Sequence, residues 1–437
     1  MRSFKLFIIL LFISQITFAQ SIVSLISRAD MFFDSMDKGK FEEAHGFFDE
    51  SVKGKLTADE LKLFWLRLGN SLGTYESVDG AQNKSQGEYF QVTLNCVFTK
   101  GSQNFTFVFN KTEKLMGFFV APTINEAAYV PPAYADTNIY REKEIAVKFQ
   151  GGEMAGMLTT PKGASNYPVV ILVHGSGPSD MDETVGPNKP FKDLALGLAA
   201  KGIATIRYVK RTMVHPNLFT KTFTVKEEVT DDALAAIALA RTLPGVNKSQ
   251  IYVLGHSLGG MLAPRIATMA PDLNGIIVAA APARKLSDVI AEQNKYLYVS
   301  SGDTSAALKL QFQETANEID RSRLMKLGDI APDSVILSAP ASYWVDLNMY
   351  DQLASAKKLT KRIFVIQGEN DFQVSTQDFN IWKNALSPNK NAAFKLYPDL
   401  NHLLSSQKQK GNGMQYRIPA SVSPVLINDI AAWIKGK

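Results

Sequence analysis

Cysteine is almost missing from this chain of 437 residues: Cys96 is the only one. No intrachain disulfide can form, and no cysteine-based zinc site can be built. Histidine is nearly as scarce. His45, His174, His215, His256 and His402 are scattered without zinc-type spacing, so the sequence shows no metal or cofactor site. Excess charge of one sign is lacking too. The formal net charge is +5, and it falls to +3 if Arg2 and Lys5 leave with a leader. So small a balance gives no reason to expect nucleic acid or a membrane surface as partner. The apolar run at residues 6–13 is too short to span a bilayer, so no integral membrane segment is expected in the mature chain.

What is present describes an exported globular protein. Hydrophobic residues make up 46% and charged residues 20% of the chain, outside the disordered range. The length calls for two or more domains. The opening "MRSFKLFIILLFISQITFAQ" has a basic start, a short apolar core and Thr17-Phe18-Ala19 at a cut site, which describes a secretory signal over residues 1–19. The expected destination is a periplasm or the cell exterior. No cysteine near the cut offers a place for a lipid anchor.

Two regions follow with different rhythms. Residues 20–122 read as a small α+β domain. "SLISRADMFF" carries Leu25, Ala29, Phe32 and Phe33 at helical spacing. "GEYFQVTLNCVFTK" and "QNFTFVFNK" alternate, with Val92, Leu94 and Cys96 on one face and Phe105, Phe107 and Phe109 on another. Residues 123–139, with Pro131-Pro132, read as an extended linker. From residue 140 to the end the pattern is a hairpin around Gly151-Gly152, then continuous apolar runs such as "YPVVILVHG", "IATIRYV", "IYVLG", "GIIVAAAPA" and "RIFVIQG" separated by helical stretches. Runs of that kind suit strands buried on both faces, and their alternation with helices predicts a doubly wound, mostly parallel α/β sheet.

Active sites in such sheets lie at the carboxyl ends of strands. There "IYVLGHSLGG" places Ser257 in a Gly-x-Ser-x-Gly turn between a strand and a helix, the setting of an exposed nucleophile. A serine hydroxyl needs a base. His402 is the only histidine more than one residue beyond Ser257, and it lies in "YPDLNHLL" after a strand. Adjacent His256 cannot face the serine correctly. Asp371 follows the strand "RIFVIQG" and is preferred over Glu369 and Asp399 as the acid that orients the imidazole. The oxyanion donors are expected from the backbone N–H groups of Leu258 and of Ser176 in "HGSGPSD". His174 is expected to support that loop, and His45 to be an ordinary surface or packed residue.

"VHGSGPSDMDETVGPNKPFKDLALGLAAKGIATIRYVKRT", "GHSLGG", "IQGENDFQV" and "LNHLL" together resemble bacterial secreted or soluble esterases of the α/β-hydrolase superfamily. The most similar group carries a small N-terminal domain and the same "GPNKPFKDLA" stretch. The resemblance runs from about residue 140 to the C-terminus. It implies hydrolysis of carboxylic esters, usually with short acyl chains, by Ser257, Asp371 and His402. One departure stands out: the group reads "RYDKR" where this chain has Arg207-Tyr208-Val209-Lys210-Arg211, which leaves any role of that acid in doubt here. The first domain resembles small cone-shaped domains fused to hydrolases, which implies no activity.

About 78 residues separate "GIIVAAAPA" from "RIFVIQG", far more than a crossover needs. A helical lid is expected over residues 284–350, with an amphipathic helix through Leu308, Phe312, Ala316 and Ile319. Tyr343 and Trp344 near its end either line an acyl pocket or pack the lid onto the body. The function expected is a secreted serine carboxylesterase on a small-molecule ester. A peptidase or acyltransferase on the same fold is the alternative, and a non-catalytic binding protein a more distant one. The oligomeric state is not written in the sequence.

Overall fold

A computed structural model of the chain describes residues 22–86, 89–121 and 128–436. The leader expected at 1–19, and residues 123–127 of the linker, lie outside the described residues.

The apolar runs form strands as their composition dictates. Strands β1 (Tyr75–Gln86), β2 (Tyr89–Phe98), β3 (Gly101–Phe109) and β4 (Leu115–Val120) make an antiparallel sheet in chain order. It packs on the helices Ile22–Asp37 and Ala58–Leu72, the second opened by a reciprocal Thr57–Glu60 capping box. Phe32, Phe33, Phe105 and Phe107 fill the core between them. Phe33 and Phe105 meet edge to face at 5.0 Å. Cys96 is fully buried on β2, and burial pushes its thiol pKa up, so it behaves as a core residue. β1 was not evident in the sequence, because "YESVDGAQNKSQ" is polar. Among the described residues it is an edge strand paired with β2 alone.

The second sheet has eight strands. In chain order they are β5 (Tyr140–Phe149), β6 (Gly152–Pro161), β7 (Tyr167–Val173), β8 (Ala204–Tyr208), β9 (Val246–His256), β10 (Gly275–Ala279) and, after a minor ladder of β11 (Val335–Ile336) and β12 (Ala339–Pro340), β13 (Arg362–Gly368) and β14 (Ala392–Tyr397). The spatial order is β14-β13-β10-β9-β7-β8-β6-β5. β8, β7, β9, β10, β13 and β14 are parallel, and the β5–β6 hairpin joins β8 antiparallel. Alternate residues serve two cores. Val169, Ile171 and Val173 of β7 face one helical layer, while Val170 and Leu172 face the other. The fold is therefore a mostly parallel α/β sheet with helices on both faces, preceded by a small α+β domain.

The segment between β10 and β13 is mainly helical. It holds the helices Leu286–Ser301, Ala306–Leu324 and Ala341–Met349 and the β11–β12 ladder. On Ala306–Leu324 Ile319 is buried while Leu308, Phe312 and Ala316 are half-buried, so the expected stripe is present but shallow. The linker is not a free tether. Tyr129 Oη donates to Asp193 at 2.7 Å and Tyr134 Oη to the Val422 carbonyl at 2.8 Å.

Candidate active site

The order of the sheet reverses at β7. The chain steps to β8 on one side and later to β9 on the other. A crevice opens at such a switch point beyond the carboxyl ends of the two strands. The ends of β7 and β9 deliver the segments His174-Gly175-Ser176 and His256-Ser257-Leu258 into it.

Ser257 has φ 52° and ψ −118°, a conformation that non-glycine residues avoid. The surroundings hold it there. Its N–H donates to the Ala279 carbonyl at 2.9 Å, and its carbonyl accepts the N–H of Met261 at 3.0 Å in the helix Leu258–Met269. Two glycines make so sharp a turn possible. A Cβ on Gly255 would overlap the Gly259 carbonyl oxygen, and one on Gly259 would overlap the carbonyl oxygens of Val173 and His174. The strained serine is thereby presented at the mouth of the crevice.

His402 sits in the loop after β14, buried. Its Nδ1 lies 2.7 Å from Asp371 Oδ2. Asp371, after β13, is fully buried and receives further hydrogen bonds from Gln367 Nε2 at 2.9 Å and from the N–H groups of Gln373 and Val374 at 2.7 and 2.9 Å. Glu369 and Asp399 are exposed and do not touch His402. The His402 ring is 4.6 Å from that of His256, the residue before Ser257. Ser257 Oγ hydrogen-bonds no other side chain among the described residues. Such contacts are often long until substrate is bound.

The loop after β7 is anchored by charged residues that sequence reasoning passed over. Glu183 Oε1 accepts the Gly175 N–H at 2.7 Å, and its Oε2 makes an ion-pair contact of 3.0 Å with His256 Nδ1, off the line of an aligned hydrogen bond. His256 Nε2 in turn reaches the His402 carbonyl at 2.8 Å. One buried pair thus ties the β7 loop to the His402 loop. Burial pushes the Glu183 carboxyl up, but His256 and the Gly175 N–H outweigh it and hold it down at about 2. Burial lowers His256, yet Glu183 raises it above its usual 6.5. Glu228 Oε1 accepts from the Gly177 N–H and from Lys210 Nζ, both at 2.7 Å, and Lys210 also donates to the Gly175 carbonyl at 2.8 Å. Ser176 lies between these two anchored glycines, and its N–H donates to no protein acceptor among the described residues. The N–H of Leu258 heads its helix and has no intrahelical acceptor.

These charges were invisible as partners because they come from distant points in the chain. Glu183, Lys210 and Glu228 stand in polar stretches ("SDMDETVG", "RYVKRT" and "VKEEVTDD"), so no local pattern marks them as buried. His174 carries the loop: its Nε2 contacts the Asp180 carbonyl at 2.8 Å, and burial lowers its pKa to about 4. Val209 pairs its N–H with Ala155 at 2.9 Å, and its side chain does not line the crevice.

A cavity of about 360 Å³ covers the serine. Ser176, Ser257, Phe223 and Glu228 bound it from the body, and Leu286, Val289, Tyr343 and Trp344 from the insertion. Tyr343 and Trp344 therefore line the cavity and also pack. Trp344 Nε1 donates to the Ile336 carbonyl at 2.7 Å, while burial and then the Glu228 carboxylate raise the Tyr343 hydroxyl pKa. Among the described residues no group of acids, histidines or cysteines could hold a metal ion, and no helix is long and apolar enough to cross a membrane.

A strained serine turn at the switch point of a mostly parallel sheet, with a histidine–carboxylate pair on later strand ends, defines the α/β-hydrolase class. Comparison with known proteins agrees. The family described as "Serine aminopeptidase, S33" matches residues 222–409, and "Protein of unknown function (DUF3887)" matches residues 29–118. Esterase EstD of Thermotoga maritima is 36% identical over 407 residues, which is 93% of this chain and 94% of that one. Est1E from Butyrivibrio proteoclasticus is similar in structure with a TM-score of 0.44 at 15% identity, over 67% of this chain and 99% of Est1E. The Pyrococcus furiosus esterase Pf2001 gives 0.45 at 14% identity, over 73% and 99%. The chain belongs to the α/β-hydrolase family that contains EstD.

Proposed function

We propose that this protein is an exported serine carboxylesterase acting on small esters through an acyl-enzyme. The observation that carries the reading is the strained Ser257 set in a cavity beside the unengaged N–H of Ser176, with the Asp371–His402 pair at the ends of β13 and β14. Ser257 Oγ attacks the ester carbonyl while His402 Nε2 takes its proton. The N–H groups of Ser176 and Leu258 stabilise the oxyanion. Collapse breaks the C–O bond, and His402 returns the proton to the departing alcohol. Water, deprotonated by His402, then attacks the acyl carbon, and the carboxylic acid leaves as Oγ regains the proton.

A cavity of about 360 Å³ is at the small end of ligand sites and supports short acyl groups. The lining also favours an ester over an aminopeptidase substrate. Glu228 is the only acid that bounds the cavity among the described residues, and Lys210 and Gly177 already occupy its Oε1. It is poorly placed to hold a substrate α-ammonium as well. The test is hydrolysis of p-nitrophenyl acetate, with Ser257→Ala lowering kcat by a factor on the order of 10⁴ or more. Cleavage of aminoacyl p-nitroanilides without ester turnover would instead establish the peptidase. Export is tested by cell fractionation with N-terminal sequencing, the mature chain beginning at Gln20.

A further inference from the structure

The helix Ile22–Asp37 divides its apolar side chains between two bodies. Leu25, Ile26, Phe32 and Phe33 fill the core of the small domain. Val23 does not. It is 4% exposed and packs within the core of the hydrolase sheet. It also bounds the cavity that holds Ser257, and among the described residues it is the one lining residue that the small domain supplies. The rest of the wall comes from residues 176–374. This helix rests on the segment that leaves β8, against Arg211–Val214 and Pro216–Leu218. Phe223, a few residues on, shares the cavity with Val23.

We propose that the small N-terminal domain sets the size of substrate the enzyme accepts, with Val23 as the wall residue through which it does so. The proposal rests on the esterase reading above. Its physical basis is volume. In a cavity this small, one side chain that adds or removes a few methylenes changes which ester fits, and one methylene in an apolar pocket shifts kcat/KM by about tenfold or more. A purely adhesive Val23 would behave differently. It would join the two bodies, so that its variants altered stability without changing the order of preference among substrates.

The experiment uses the full chain as wild type, Val23→Ala and Val23→Phe. kcat/KM is measured along two ladders, p-nitrophenyl acetate to octanoate and acetate esters of growing alcohols. Active sites are counted with a fluorophosphonate, so that misfolded molecules do not enter the rates. On at least one ladder, Val23→Ala is expected to raise the long-to-short ratio by about tenfold and Val23→Phe to lower it by a similar factor. If Val23→Phe yields no active sites, Val23→Ile supplies the enlarging arm. Ratios within about twofold of wild type in both arms on both ladders overturn the proposal. A uniform fall in rate on every ester overturns it as well, since that is loss of the site rather than a size limit. A wild type that neither hydrolyses an ester nor takes the label overturns the esterase reading itself, an outcome distinct from unaltered ratios in an active enzyme.

Discussion

Glu183 and His256 show how a single proton links the site to folding. Protonated His256 is favoured by the folded state because Glu183 faces it. Its stabilisation is full below pH 6.5 and is lost as pH rises through the raised folded value. Glu183, held at about 2, contributes above pH 4.5 and loses its contribution as pH falls toward 2. The pair is strongest between these limits, where His174, lowered to about 4, is already largely neutral in the fold. Glu183→Gln should destabilise the protein by about 3 kcal/mol, since it leaves a buried histidine unpaired. The gap in Tm from wild type should be widest near about pH 5.5 and narrower by about pH 8. A gap that does not vary with pH would show that packing, not charge, holds the clamp. The glycines of the turn make a steric counterpart. Gly259→Ala must push against the carbonyls of Val173 and His174, so it should cost about 3 kcal/mol in urea unfolding and most of the activity.

At the scale of elements, the sequence was legible where burial is symmetric. β7, β9, β10 and β13 are apolar on both faces, so a continuous run marks each. Ser257 and Asp371 could be singled out because each follows such a run, and His402 because it is the only histidine more than one residue beyond Ser257. β1 was not legible, since its pairing to β2 comes from backbone hydrogen bonds and not from an apolar pattern. The stretch after Val225 reads as one long helix, yet it opens with a π-helical turn at Lys226–Thr230 before the α-helix Asp231–Thr242. Glu228 sits in that turn, buried, where it meets Lys210 and the Gly177 N–H. Such turns often occur at functional sites. Glu228→Ala would leave Lys210 buried without its carboxylate and free the loop that carries Ser176. We expect kcat to fall by about tenfold or more with KM little altered, because displacing a site by about 1 Å can cost a hundredfold. Glu228→Gln keeps an acceptor for Gly177 and should lose less. Equal losses in the two variants would mean that charge, and not the anchoring of Gly177, is what the loop requires.

Across the whole molecule, two bodies with separate cores meet at the cavity that holds Ser257. The small domain keeps its own phenylalanine core, but Val23, in the first turn of its first helix, packs in the core of the hydrolase. Another part of the wall comes from the helix Leu286–Ser301, through Leu286, Val289 and Ile290. A group fixed on Ser257 should therefore be felt at both walls. After labelling with an alkyl fluorophosphonate, backbone amides in residues 22–37 and 286–301 should exchange more slowly with deuterated solvent, because filling the cavity opposes the local openings that expose them. The helix Pro424–Ile434, none of whose residues lines the cavity, should exchange as before. Ser257→Ala, which takes no label, provides the baseline. Slowing confined to residues 286–301 would mean that the insertion alone closes over the bound group. Slowing of residues 22–37 would place the N-terminal helix in the closed site, the arrangement that Val23 in the cavity wall requires.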